Sequence, residues 1–477
     1  MSRNGAAASS SLATRTGIQA VLATLIISGW LAILWYLAPP PLKLMDFDQP
    51  VYLSIAYDLV HLGRFTDGTE WGTPRANPAR PPGMARTPLY PAFLSATALL
   101  DPEFNRSLNC FVEHSAAPAC PQQAPLPRTM QFLMVVGIYL MLWRAASRAT
   151  GSKRIGWLAL GMGLIVAPSM IGYINTLMTE TLTLFLTTAA TATAVEAVKG
   201  RRHFGWGLTS GVMIGLAGLT RPAFAYLLPS LAIPIACIFF IGFGRKRSLG
   251  VLTAMLIGGT AIITPWIARN VIILGRPALT SGYASSVLAQ RVAFDLVSWR
   301  QYALFYLCVL PDGTGMGNLL VMPGACKPFE YGMVKGTFYD IGNTTFSQAT
   351  IVAAGGKKHQ LSYLLYHFII LNPIWHALVS IPMALRGMWI GHYWGMIMAL
   401  LCARLTLRSL RELNAATLAI VLPGWFMLAF YATISVDQVR YNLMLIIPFS
   451  LAGGIALNGF LERKNIYQKI SVLCHRR

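Results

Sequence analysis

Apolar runs near the ~20 residues that cross a bilayer recur along this chain, separated by short basic connectors and two longer polar segments. In order they cover Ile18 to Leu37, Thr129 to Trp143, Ile155 to Ser169, Leu177 to Val198 and Gly205 to Leu219. They continue with Ala223 to Phe243, Leu249 to Trp266, Met388 to Ala403, Ala415 to Thr433 and Leu443 to Leu461. The pattern predicts an all-α polytopic membrane protein with about ten transmembrane helices. The stretch Leu361 to Ala403 is apolar enough for two spans; one span preceded by an interfacial helix keeps the flanking charges on one side.

Within the first polar segment, Val51, Ile55 and Leu59, with Tyr52, Ala56 and Leu62, recur at helical spacing. Asp48 or Gln49 suits the N-cap, Pro50 the first turn and Gly63 the end. Leu89 to Leu100, about a dozen residues, is short for a span. Both are expected as interfacial helices, joined by the Pro/Arg-rich connector "NPARPPGMARTP".

Composition agrees: of 477 residues, 55% are hydrophobic and only 12% charged. The formal charge of +21 is scattered in short clusters, among them Arg144/Arg148, Arg201/Arg202, Arg245/Lys246/Arg247 and Arg404/Arg408/Arg411. Such scatter excludes a nucleic-acid stripe and marks the cytoplasmic side. Residues 1–17 and the basic tail 462–477 are then cytoplasmic, and outer loops lie at 38–128 and 269–360 of the membrane module 18–461. The long apolar core of the first segment, with no A-x-A-like site after it, favours an anchor over a cleaved signal. Cys110 with Cys120, and Cys308 with Cys326, fall in pairs in these outer loops and are expected as disulfides in an oxidising compartment. Cys237, Cys402 and Cys474 fall in spans or in the cytoplasmic tail, and the paired cysteines lack metal-ligand spacing.

Asp46 and Asp48 stand where the chain leaves its first span. A carboxylate at a helix N-terminus is favourable by itself, so Asp48 as a plain cap competes with Asp48 as a reactive group. No Walker A, dinucleotide fingerprint or H-E-x-x-H sequence is present. His367, His376 and His392 have no metal-like spacing and are expected to pack or to face the interface.

The order of several fragments resembles the integral-membrane glycosyltransferases of the GT-C fold, especially glycosyltransferase family 39. That family includes protein O-mannosyltransferases and lipid A aminoarabinose transferases. The fragments are "DQPVYLSIAYDLVHLGRF", "RTPLYPAFLSA", "TLMTETLTLFL" around Glu180, "GLAGLTRP" around Arg221, "TPWIARNVIILGRPALTS" around Arg269 and Asn270, and "DQVRYNLMLIIPF" around Arg440 and Tyr441. The resemblance runs from about residue 18 to 461, but the acidic pair frequent in the family reads Asp48-Gln49 here.

The resemblance implies transfer of a sugar, with inversion, from a polyprenyl-phosphate donor to an acceptor hydroxyl on a lipid, glycan or protein. The site would face the periplasmic side of the inner membrane. A phosphate leaves as an anion, so one base suffices where a glycosidase needs two carboxylates. Asp48 is the expected base and Asp46 its competitor. Arg221, Arg269 and Arg440, with Arg86 and Lys43 behind them, are expected to hold the phosphate or else to anchor at the interface. Glu180 is either a second acid or the partner of an arginine. Neither a cofactor nor a metal is expected. A flippase of a carrier-linked substrate is disfavoured by the lack of an internal repeat, and a noncatalytic assembly subunit is the other alternative.

Overall fold

The structure is a computed structural model, and it describes residues 3–39, 43–44, 46–69, 75–114, 120–234, 245–281, 283–311 and 319–475. The chain starts with α1 (Arg3–Leu37), α2 (Gln49–Leu62), α3 (Leu89–Leu100), α4 (Pro102–Glu113), α5 (Pro125–Thr150), α6 (Lys153–Leu164) and α7 (Ala167–Asn175). Next come α8 (Glu180–Lys199), α9 (His203–Thr220), α10 (Pro222–Pro234) and α11 (Arg245–Leu274). A second extramembrane segment holds α12 (Tyr283–Val292), α13 (Trp299–Cys308), α14 (Phe338–Asn343) and α15 (Thr345–Ala353). The last elements are α16 (Gln360–Ile370), α17 (Pro373–Gly387), α18 (Tyr393–Arg411), α19 (Ala415–Ile434) and α20 (Ile446–His475), the last entered through a 3-10 turn at Val439–Leu445.

Six helices are long and apolar enough to cross a membrane, and two bent pairs bring the number to eight among the described residues. The expected span Ile155 to Ser169 is one of those pairs: α6 and α7 meet at 59°. Pro168 sits in the first turn of α7, where its missing N–H costs nothing, but inside a continuous helix it would remove a backbone bond. The pair α16 and α17 bends by 94°, again with a proline, Pro373, opening the second helix. The expected span Gly205 to Leu219 appears as α9 of 18 residues. Only the first part of Ala223 to Phe243, as α10, falls among the described residues.

Glycine determines how α9 meets α11. Gly207, Gly211 and Gly215 repeat every fourth residue and so line one face of α9. A Cβ at Gly211 would land on the Met255 carbonyl, and one at Gly215 would lie 2.8 Å from the Gly259 carbonyl. Gly258 faces the Leu208 carbonyl from the other side. Lipid offers no hydrophobic drive between spans, so this close backbone approach supplies the attraction through packing. Buried α8 meets a different demand: Thr183, Thr187, Thr188 and Thr191 each donate to the carbonyl one turn back, at 2.7–2.9 Å.

α2 keeps its expected limits, with N-cap Asp48, Pro50 in the first turn and Gly63 left-handed at φ 62°. Its apolar face is covered by protein. Leu53, Ala56 and Tyr57 pack with Leu94, Phe104 and Phe111 of α3 and α4 in one buried core. The connector beyond it is tied down by Asp58, fully buried, which accepts from Arg80 at 2.8 Å and Thr66 at 2.5 Å.

The second extramembrane segment has its own aromatic core, where Phe294, Phe305, Phe329 and Phe338 stack on one another. Buried Arg291, paired within the segment to Asp295, docks it on the bundle by donating to Ser380 and the Ala432 carbonyl. His376, also buried, bridges Asp295 at 2.7 Å and the Thr433 carbonyl at 2.9 Å, a packing role. Cys110–Cys120 and Cys308–Cys326 are both disulfides. Cys402 is buried and free, whereas Cys237 lies outside the described residues. Of "PDGTGMGN" only Pro311 is described, and "AAGGKKHQ" is a turn between α15 and α16 with Gly355 and Gly356 at positive φ.

Gly211→Leu is expected to lower stability by about 1–3 kcal/mol through overpacking of the α9–α11 seam. Gly205→Ala, whose Cβ would meet nothing within 4 Å, should leave the melting temperature in detergent nearly unchanged. Equal melting temperatures for Gly211→Leu and the parent would remove the seam argument.

Candidate functional site

One end of the bundle collects charge from four elements that are far apart in sequence. Asp48 opens α2, Glu180 opens α8, Arg221 ends α9, and Arg440 sits on the turn before α20. Arg440 lies 3.9 Å from Asp48 and 3.9 Å from Glu180, while Arg221 lies 3.5 Å from Glu180. The two carboxylates are thus bridged by one guanidinium and braced by a second. The contacts are long for hydrogen bonds, so the arginines keep donors for another anion.

The carboxylates differ in access. The Glu180 side chain is 2% exposed and that of Asp48 is 18%. Glu180 lies in the first turn of α8, where the helix dipole favours its charge. Asp48 holds the N-cap position but makes no side-chain cap hydrogen bond, so its carboxylate is not committed to the helix. A third carboxyl, Asp437, is fully buried and accepts from Asn442. Burial pushes it well above the usual carboxylate range, which favours a protonated group there.

Gln49 anchors the turn that presents Asp48. Its amide nitrogen donates to the carbonyls of Lys43 and Asp46 at 2.9 and 3.0 Å, and its oxygen accepts from the Leu177 N–H at 2.8 Å. Fully buried, it joins this turn to the irregular stretch just before Glu180. The position needs two donors and one acceptor, which an amide has and a carboxylate lacks. Phe47, between the two aspartates, takes the left-handed conformation at φ 57°, uncommon for a residue with a side chain this large. That turn sends Asp46 and Asp48 apart: Asp46 accepts from the Lys43 N–H at 2.9 Å and closes the loop, and only Asp48 reaches Arg440. Lys43 is exposed and takes part through its backbone.

Aromatic rings cover the cations. Arg221 lies 4.7 Å and Arg440 5.2 Å from the Tyr441 ring centroid, and Arg440 also donates to Gln438 at 2.7 Å. Arg86, brought in by the connector, stacks at 4.6 Å on Tyr283 of α12. Tyr52 lies within electrostatic reach of Asp48 and Arg86, and burial pushes its phenol up to about 12, so it stays neutral. Tyr52 falls four residues after Asp48, a helical spacing that the sequence already carried. Tyr283 had no such signal, because only the docking of the second segment brings it here.

Arg269 and Asn270 are placed differently. Arg269 donates to the carbonyls of Gly83 at 2.6 Å and Phe65 at 3.1 Å, and lies 4.8 Å from the Trp266 ring. Buried Asn270 donates to the Ala278 carbonyl at 2.8 Å. Together they fasten the connector that carries Arg86 to the end of α11, and none of the described ion pairs joins Arg269 to Asp48 or Glu180. Among the described residues no group of three or more His, Cys, Asp or Glu side chains is arranged to hold a metal ion.

No family model matches this sequence. No curated protein matches it either. By structure it is similar to the oligosaccharyltransferase of Archaeoglobus fulgidus in the apo form, with 13% identity and a TM-score of 0.51. That match covers 95% of this chain and 52% of the other, so the chain spans about half the length of that enzyme. The same oligosaccharyltransferase, tethered to an acceptor peptide containing the NVT sequon, aligns with 14% identity and a TM-score of 0.50, covering 95% of this chain and 51% of the other. ArnT from Cupriavidus metallidurans, bound to undecaprenyl phosphate, aligns with 14% identity over 92% of this chain and 77% of the other, at a TM-score of 0.40. At these identities the likeness concerns fold, and the chain has a GT-C-like polytopic membrane fold.

Gln49→Glu is expected to loosen the turn, because two buried carbonyls lose their donor, a loss of about 1–3 kcal/mol. Limited proteolysis should cut between residues 43 and 49 faster than in the parent, and Gln49→Glu as resistant as the parent would contradict the anchoring role.

Proposed function

We propose that this protein transfers a sugar, with inversion, from a polyprenyl-phosphate donor to an acceptor hydroxyl at the extracytoplasmic face of the inner membrane. The observation that carries this reading is the bridge from Asp48 through Arg440 to Glu180 and Arg221, at one end of a GT-C-like bundle. The side assignment is supported by the separation of charge and disulfides. Both disulfides belong to the Asp48 end, and Arg144 and Arg148, paired with Glu196, belong to the other.

In this reading the donor phosphate takes the donors that Arg440 and Arg221 do not turn toward Glu180, and draws Arg440 off Asp48, with Arg86 at its side. Asp48, the more accessible acid, accepts the acceptor's proton as its oxygen attacks the anomeric carbon. The bond from that carbon to the phosphate oxygen breaks on the opposite face, and the phosphate leaves as an anion held by the arginines. Glu180, nearly closed to solvent, holds Arg221 and Arg440 in place. Tyr52, neutral, is a hydrogen-bond donor and not a base. Arg269 acts at one remove by fixing the connector.

The 3.9 Å pairing of Arg440 with Asp48 also implies an order. While Arg440 faces Asp48, it competes with the acceptor hydroxyl for the carboxylate. A donor phosphate that draws Arg440 away leaves Asp48 free for the acceptor, so donor binds first.

With the reconstituted protein and polyprenyl-phosphate sugars, Asp48→Asn at equal folding is expected to lose about 100-fold or more of the transfer rate. A variant as fast as the parent would show that Asp48 is not the base. Arg440→Gln should raise the donor KM and make substrate binding random, whereas Arg269→Gln should lower stability with the binding order retained. An ordered pattern kept in Arg440→Gln would refute the release of Asp48 by phosphate. A mass shift on a cell-envelope component in a deletion strain identifies the sugar and the acceptor.

A further inference from the structure

No local signal breaks the chain between α7 and α8. Residues 173–181 contain neither proline nor glycine, yet α7 stops at Asn175 and α8 starts only at Glu180. The residues from Ile174 to Glu180 are buried, so main-chain groups released by the break must find other partners. They find side chains of two other helices. Gln131 of α5, fully buried, donates from its amide nitrogen to the Ile174 carbonyl at 2.8 Å and to the Thr176 carbonyl at 3.0 Å. Arg128, one turn earlier on α5, donates to the Asn175 carbonyl at 3.3 Å, and Gln49 of α2 accepts from the Leu177 N–H at 2.8 Å.

We propose that Gln131 is a positioning residue: by holding this break open it sets where Glu180 stands, and with Glu180 the two arginines of the charge cluster. In a continuous helix the Ile174 carbonyl would take the Met178 N–H and the Thr176 carbonyl the Glu180 N–H. The two hydrogens of the Gln131 amide stand in for both. If the break closed into helix, Glu180 would turn about the axis and leave Arg221 at 3.5 Å and Arg440 at 3.9 Å.

The other end of the same amide reaches the Asp48 side. Its oxygen accepts from the Tyr90 hydroxyl of α3 at 3.2 Å, and Tyr90 packs edge-on against Tyr52 of α2 with ring centroids 5.3 Å apart. Gln131 thus connects the helix that carries Asp48 with the break that carries Glu180. Packing does not ask for an amide here, since a methionine has the same length and fills the same space. The hydrogen bonds are what the position requires.

The consequence for the donor rests on the proposed function, in which Arg221 and Arg440 hold the phosphate. The test uses the full-length protein in detergent, with undecaprenyl phosphate as probe of the arginines and amide hydrogen exchange as probe of the break. Gln131→Met is expected to weaken undecaprenyl phosphate binding by about tenfold and to speed exchange of the 176–181 amides by about tenfold. In the transfer assay the donor KM should rise with the acceptor KM unchanged. Val135→Ala, fully buried one turn further along α5, removes packing without touching the break and should retain parental affinity and parental exchange there. Should Gln131→Met not fold, Tyr90→Phe, which leaves the amide oxygen without its donor, decides the question through an expected weakening of about threefold. Parental exchange at the break, parental affinity in the variant that folds, or an equal loss of affinity in Val135→Ala would each overturn the proposal. A parent that does not bind undecaprenyl phosphate, with exchange still faster in Gln131→Met, refutes the phosphate reading and supports the role of Gln131 at the break.

Discussion

A single guanidinium between two carboxylates sets the architecture of one end of this protein. Glu180 is almost closed to water, and a buried carboxylate without a partner would cost several kcal/mol. Arg440 and Arg221 meet that demand, but their own burial needs cover, which Tyr441 supplies to both. Asp48 completes the bridge as its most accessible member. The ends of α2, α8 and α9 and the turn before α20 must therefore converge, and the rest of the bundle is compatible with that convergence.

Irregular chain around the cluster is held by polar staples instead of regular secondary structure. Gln49 ties the first turn to the entry of α8, Asp58 ties the connector to α2, and Arg269 ties the same connector to α11. Gln49 and Asp58 are buried and Arg269 is half-buried, and their hydrogen bonds go mainly to main-chain atoms or to one charged partner. Backbone that leaves a helix near a membrane must find such partners, since water is scarce there.

Much of this was legible in the sequence because it is local. The limits of α2 follow from Asp48, Pro50 and Gly63, and the two disulfides follow from where the cysteine pairs fall. Arg221 and Arg440 could be placed at span ends from charge and periodicity alone. Long-range partners were not legible. Arg269 looks like Arg221 in sequence, yet one meets main-chain carbonyls and the other a carboxylate, a difference decided by how the connector returns. Gln49 read as a missing acid, although its amide is what the buried turn requires. The break between α6 and α7 carried a local signal, Pro168, which hydropathy over a long window averaged away.

The glycine seam between α9 and α11 also works as a caliper. Because the two backbones are in contact and neither can slide past the other, the separation of their ends is fixed by helical rise. From Arg202 to Arg221 that is ~28 Å, close to the ~30 Å hydrocarbon thickness of an ordinary bilayer. A thicker membrane would draw one charged end into lipid, a mismatch that costs fractions of a kcal/mol per Å. The seam thus ties the height of the carboxylate bridge above the lipid to the thickness of the membrane in which the protein resides.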